Sequence, residues 1–272
     1  MKARNICQLP FKLLSLLVVF SITAGMLTAC DGSPDPSEVP SQSKTQNSLV
    51  SVPEKTSTNP YKWTVMMYQD ADDEILEEDI VTDLNEAELV GSSDEVAIVS
   101  QIDRYAEGFD GDGDWSGTKR FFITQDDDLD QINSEEVEDL GEVNMADSKT
   151  LIDFVTWAAE NYPADKYVLI LSDHGSGWPG GFSDVDSKSA SKNELIDGFG
   201  DMIYLNEFDE AMAEIQQETG IDKFEMIGMD ACLMGQLEVL SVLQPYARYA
   251  VLSQEVEPAL GWAYAGFLKQ LV

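Results

Sequence analysis

Short apolar runs alternate along this chain with amphipathic helical segments, and that alternation restricts the fold more than any other feature. The runs are WTVMMYQ at 63–69, VAIVSQID at 96–103, TKRFFITQ at 118–125, YVLILSD at 167–173, FEMIGMDA at 224–231 and RYAVLSQ at 248–254. Between them, EILEEDIVTDLNEAELV at 74–90 spaces Ile75, Ile80, Leu84, Ala87 and Leu89 at nearly helical intervals. A second helix follows a cap at Asp147 or Ser148 and carries Leu151, Phe154, Val155 and Ala158. A third follows Asn206 with Phe208, Met212 and Ile215, and a fourth is expected from LMGQLEVLSVLQPYA after Cys232. Strands that are apolar on both sides and separated by helices belong in a mostly parallel sheet covered on both faces. The expected fold is therefore an α/β, three-layer αβα sandwich. TKRFFITQ reads as a strand in a hairpin with a neighbour. No internal repeat is present.

In open parallel sheets, ligands bind beyond the carboxyl ends of the strands. Two such ends stand out. Asp173-His174-Gly175 closes one run and holds the single histidine of the chain; Asp230-Ala231-Cys232 closes another. One helical crossover separates them, and right-handed crossovers bring such strands near each other. An imidazole beside a thiol suits acyl transfer, since a thiolate is a strong nucleophile and imidazolium can protonate a leaving amine. Gly175 lets backbone N–H groups approach a carbonyl, and a helix starting after Cys232 would favour thiolate. Each residue also has a plainer explanation. Cys232 fits as a small core residue, His174 as part of a turn, and Asp230 as a helix N-cap. Asp173 is a candidate for orienting His174, although sequence neighbours often point apart.

The first 60 residues belong to no globular domain. Lys2, Arg4 and Lys12 precede an apolar stretch from Leu13 to Ala24, too short to span a bilayer and fitting a signal peptide. It ends in Leu27-Thr28-Ala29-Cys30, which resembles a bacterial lipobox. The expectation is a signal peptide at 1–29, a lipidated Cys30, a Ser/Pro/Thr-rich linker to residue 60 and a single domain over 61–272. Cys7 leaves with the signal, so Cys232 is the only thiol remaining in the domain. The 51 acidic against 16 basic residues give a net charge of -35. Such a surface repels nucleic acid and anionic lipid and attracts cationic substrates.

DHGSGW at 173–178 followed by MDACLMGQLEVL at 229–240 resembles the clostripain-type cysteine peptidases, family C11, of the caspase and gingipain clan. WTVMMYQDADDE at 63–74, AIVSQIDR at 97–104 and VLSQEVEPALGWAY at 251–264 are similar to further segments of that family. The resemblance covers about 61–272. It implies a caspase-like sheet, Cys232 as nucleophile, His174 as acid and base, and an oxyanion hole from the N–H groups of Gly175 and Cys232. It implies Asp230 in the S1 pocket, selecting a basic P1 residue, and self-cleavage in the 183–204 insert, where Lys188 and Lys192 stand. Calcium is suggested by the family and by DGDGDWSG at 110–117. An EF-hand is excluded, because Trp115 holds the glycine position and Phe121 that of the bidentate glutamate; an acidic turn and another kind of calcium site stay open. No zinc site is supported with one histidine and one thiol. Domains of this type commonly continue beyond the point where LKQLV stops, which leaves open a fragment or a shortened product.

The expected function is a membrane-tethered cysteine endopeptidase acting after Arg, or Lys, on protein or peptide substrates, with no nucleic-acid partner. It would sit in the cell envelope, anchored by lipid outside the cytoplasmic membrane, and need no cofactor for its chemistry. The alternative is a surface lipoprotein that keeps the fold and binds peptides or a protein partner without catalysis. A lipase or acyltransferase using the same pair is disfavoured because no apolar acyl pocket is indicated.

Overall fold

The computed structural model describes residues 59–184, apart from Glu107 and Asp114, and residues 201–272. Along the chain run β1 (Tyr61–Ala71), α1 (Glu77–Glu88), β2 (Val96–Arg104), β3 (Gly117–Phe122), β4 (Glu135–Gly141), α2 (Ser148–Asn161) and β5 (Ala164–Ser172). Then come β6 (Gly180–Asp184), β7 (Asp201–Tyr204), α3 (Leu205–Thr219), β8 (Phe224–Asp230), α4 (Leu237–Leu243), β9 (Ala247–Leu252) and α5 (Tyr264–Leu271). Seven strands form one sheet in the order β4-β3-β2-β1-β5-β8-β9; β6 and β7 pair separately as an antiparallel ribbon. β1, β2, β5, β8 and β9 are parallel, and β3 and β4 extend the sheet antiparallel beyond β2.

Alternation along β1 shows why the central strands carry unbroken apolar runs. Successive side chains leave a strand on opposite faces. Met66 and Tyr68 enter a core with α2, α3 and α4, whereas Val65 and Met67 enter a second core with α1 and α5. Both faces are covered, so the three-layer αβα sandwich expected from the sequence is present.

Four local features differ from the sequence reading. β4 is a run of acidic residues, EEVEDLG, with an almost wholly exposed face. It is held at the sheet edge by cross-strand ion pairs from Lys119 to Glu136 at 2.8 Å and from Arg120 to Glu138 at 3.0 Å. α3 begins at Leu205, one residue before the expected Asn206 cap, and the Glu207 carboxylate accepts the Tyr204 N–H instead. α4 begins only at Leu237, because Leu233 takes a left-handed φ of 64°. The amides of Leu233 and Gly235 then bond to the carbonyls of Glu255 and Ser253 rather than to a helical turn. Finally, α5 is an extra helix that buries Tyr264 and Leu268 against α1. The expected Asp147 cap is present, its carboxylate accepting the Lys149 N–H.

Candidate active site

β5 and β8 are direct neighbours, with Ser172 paired to Asp230 and the Asp173 amide donating to the Asp230 carbonyl. The two strand tips singled out in the sequence therefore lie side by side. Gly175 lies so near the Cys232 backbone that an added Cβ would sit 2.1 Å from the Cys232 carbonyl oxygen and 3.0 Å from its nitrogen. Only glycine fits there. His174, Asp230 and Cys232 line one narrow cleft of about 50 Å³ at the carboxyl edge of the sheet.

His174 is held from β1. Its Nε2 lies 3.4 Å from Asp73 Oδ2, on the turn that follows that strand. The contact with Asp73 raises the imidazole pKa, opposed by partial burial. Asp73, not the neighbouring Asp173, is thus the carboxylate against the ring nitrogen. Asp173 turns away into the protein, where its carboxylate accepts from the amide and hydroxyl of Ser183 and ties β6 to the end of β5.

Cys232 is half-buried in the loop between β8 and α4. The delayed start of α4 removes the helix N-terminus that the sequence reading set beside the sulfur. A different donor stands there: the Glu257 amide lies 3.3 Å from Sγ. Among the described residues, neither the Gly175 nor the Cys232 amide donates to another backbone or side-chain acceptor. Both remain able to face a carbonyl oxygen of a bound chain.

The inner end of the cleft is acidic. Asp230 is buried, and its Oδ2 accepts the Trp262 amide at 3.0 Å and the Tyr264 hydroxyl at 3.2 Å. The Tyr264 hydroxyl also bonds Ser172 Oγ at 2.9 Å. With α4 starting at Leu237, Asp230 is not a helix cap. Asp83, on α1, comes to the same place from the opposite side. A Cβ added at Gly261 would be 2.7 Å from Asp230 Oδ2 and 3.0 Å from Asp83 Oδ2, so the two carboxylates flank that glycine. Burial, then the like charge of Asp230, pushes Asp83 up to about 10. Asp230 is pushed up to about 7, again mainly by burial. A third carboxylate, Glu257, lines the same cleft and accepts the Trp262 indole N–H at 3.3 Å. A guanidinium or ammonium entering between these two buried carboxylates would favour their ionised forms.

Asp73, Asp83 and Glu257 were not singled out in the sequence. A signal existed for Asp83, which interrupts the apolar stripe of α1 next to Ile80 and Leu84 and is 3% exposed. For Glu257 no local signal exists, since it reaches the cleft through a loop. Asp112 accepts from the Trp115 indole and the Ile132 amide and lies 3.9 Å from Arg104. Arg104 itself is buried against Glu77 at 2.8 Å and anchors the loop through the Phe109 and Gly111 carbonyls. Cys30, Lys188 and Lys192 lie outside the described residues.

The model of the clostripain family matches residues 67–272. Clostripain from Hathewaya histolytica is 29% identical over 209 residues, covering 68% of this chain and 36% of that protein. A secreted C11 cysteine protease from Bacteroides thetaiotaomicron, solved with an irreversible peptide inhibitor, is 20% identical with a TM-score of 0.56. The match covers 77% of this chain and 53% of that one. An inactive zymogen C11 protease from Parabacteroides distasonis is 22% identical with a TM-score of 0.55, over 77% of this chain and 53% of that one. These structures share the fold. The chain thus spans little more than a third of the curated relative and about half of the solved ones. With the family match running from the middle of β1 to the last residue, the chain belongs to the clostripain family, peptidase family C11.

Proposed function

We propose that this protein is a cysteine endopeptidase that cleaves peptide bonds after arginine or lysine, with Cys232 as nucleophile and His174 as its proton carrier. The observation that carries the reading is the contact of Gly175 with the Cys232 backbone, at the mouth of a cleft whose inner end holds Asp83 and Asp230. A basic P1 side chain entering that cleft would meet two buried carboxylates. Its carbonyl carbon would then lie near Sγ, with the carbonyl oxygen toward the amides of Gly175 and Cys232. The sulfur attacks that carbon, the C–N bond breaks, and the His174 imidazolium gives its proton to the departing amine. Water, deprotonated by His174, then hydrolyses the thioester and frees the sulfur.

The same specificity suits self-cleavage at Lys188 or Lys192. The lipobox-like sequence at Cys30 supports a lipid anchor outside the cytoplasmic membrane. Among the described residues, no helix is long and apolar enough to cross a membrane.

The test is a panel of fluorogenic peptides differing only at P1. Hydrolysis is expected with Arg and Lys and not with Asp, Glu or Leu. Binding of the Arg peptide without turnover would instead favour a lipoprotein that keeps the fold and captures peptides.

The Asp73–His174 pair leads to a second expectation. Asp73→Asn is expected to lower kcat/KM about tenfold, less than the roughly 10²–10⁴-fold supplied by the acid–base residue it supports. Asp73 raises the imidazole pKa, so its loss lowers that pKa. The protonated form then disappears sooner as pH rises, and the alkaline limb of the kcat/KM profile should move to lower pH. An unshifted limb would mean that Asp73 does not act through the ring.

A further inference from the structure

Outside the cleft, one large aromatic side chain stands in solvent close to the dyad. Trp178 is 63% exposed and follows His174 by four residues on the same loop. Its amide donates to Gln236 Oε1 at 3.2 Å, and Gln236 follows Cys232 by the same four residues. Gly177, at a left-handed φ of 76°, makes room for this contact, since a Cβ there would lie 2.1 Å from Gln236 Nε2. The loops that carry the imidazole and the sulfur are thus joined a second time at Trp178. Four residues of chain reach at most about 14 Å, which an extended peptide covers in about four residues.

Trp178 forms one wall of an open groove of about 480 Å³, with Pro179, Tyr204, Leu205 and Val242. Leu205 and Val242 pack against the core that holds α2, α3 and α4, whereas Asp83 and Tyr264 of the acidic cleft belong to the α1 and α5 side. Groove and cleft therefore lie on opposite sides of the sheet, with the dyad at the edge between them. Among the described residues lining the groove only Asp209 is charged, and its carboxylate already accepts the Tyr246 hydroxyl at 2.6 Å. The remaining walls suit an apolar side chain better than a cation.

We propose, building on the peptidase reading above, that this groove holds the substrate on the leaving-group side of the scissile bond and selects a large apolar residue among P2′ to P4′, with Trp178 as the specificity-determining side chain. The departing amine must lie against His174 to take its proton. The chain that continues from that amine then follows the His174 loop, which leads to Trp178. An indole whose backbone is tied down and whose ring is open to solvent offers a large apolar contact at little cost in side-chain entropy.

The test uses the full chain with internally quenched peptides that carry Arg at P1 and Ala at P1′ to P4′. One primed position at a time is changed to Leu, Phe, Lys or Asp. Each kcat/KM is taken relative to that for an arginyl coumarin amide, which has no amino acid after the scissile bond, so a disturbed dyad or acidic cleft cancels. One position among P2′ to P4′ is expected to favour Phe or Leu over Ala about tenfold, the scale on which an apolar pocket separates side chains of different size. Lys and Asp should do no better there than Ala. Trp178→Ala should reduce the preference to about twofold or less, and Trp178→Phe should keep most of it. The indole is exposed and its link to Gln236 runs through the backbone, so the variant should fold, with thermal melting as the control. Equal rates for all primed residues, a preference for Lys over Phe at that position, or a preference that survives Trp178→Ala would overturn the proposal and leave the peptidase reading in place. A wild-type chain that cleaves neither the coumarin amide nor any peptide would overturn both.

Discussion

Cys232→Ala is expected to remove hydrolysis of an Arg-P1 peptide by at least about 10⁴-fold in kcat, and His174→Ala to cost nearly as much. The double variant should be no worse than either single one. Residues that act as one nucleophilic unit are strongly non-additive, because removing either member leaves the other with nothing to do. The structure supports treating them as a unit. β5 and β8 deliver the two residues from paired strand ends, and Gly175, next to His174, lies so near the Cys232 backbone that no Cβ fits there. Neither substitution should unfold the protein, since Cys232 and His174 are only partly buried. Steady-state assays with circular dichroism as the folding control check this. A Cys232→Ala variant retaining a tenth of the activity would assign the nucleophile elsewhere.

The second large effect concerns Asp230 and Asp83. Asp230→Asn is expected to lower kcat/KM for Arg-P1 peptides about 100-fold, the scale for truncating one side of a buried, hydrogen-bonded charge pair. Asp83→Asn should cost about tenfold and also stabilise the protein. The sign follows from the raised pKa. Folded Asp83 keeps its proton up to about pH 10, whereas the unfolded chain releases it near the ordinary carboxylate value. The folded state thus binds more protons between those limits, and stability falls as pH rises through that window. Asparagine has no proton to lose, so the variant should gain on the order of 1 kcal/mol or more at pH 8 and much less at pH 5. Substrate binding should carry the same signature. Asp230 is pushed up to about 7, and a P1 cation favours its ionised form, so KM for Arg peptides should fall as pH rises from about 6 to 8. Melting curves at the two pH values, with KM profiles for Arg, separate a specificity pair from two structural acids. Loss of stability in Asp83→Asn at pH 8 would contradict the account.

The strands that build the site were legible because they are buried on both faces. β1, β2, β5 and β8 each carry a central apolar run, and their ends mark where the sheet opens to ligand. β4 was not legible, because at a sheet edge EEVEDLG is held by ion pairs and not by burial. The helix after Cys232 was misread for a related reason. LMGQ has the composition of a helix, but the 253–255 segment offers its carbonyls to Leu233 and Gly235, and that tertiary pairing overrides local preference. His174 and Cys232 stood out in the sequence because they lie within two residues of the ends of β5 and β8, whereas the oxyanion-hole reading of Gly175 and the pocket reading of Asp230 came from the resemblance to the clostripain family. Trp262 and Tyr264 gave no such signal, since their bonds to Asp230 bridge 32 and 34 residues through a loop with no regular pattern. Asp73 stood in an acidic turn where nothing local distinguishes it from Asp72, although the first faces the ring and the second lies near Glu142 and Asp184.

The pairing of sulfur and imidazole at a basic-P1 cleft is tested most directly by covalent capture. The full chain would be treated with an arginyl chloromethyl ketone peptide and its glutamyl counterpart, then digested and mapped by mass spectrometry. The expected result is one equivalent of the arginyl reagent on Cys232, markedly slowed in His174→Ala, and almost none of the glutamyl reagent. Equal labelling by both reagents, or an unmodified Cys232 in protein that the reagent has inactivated, would contradict the account.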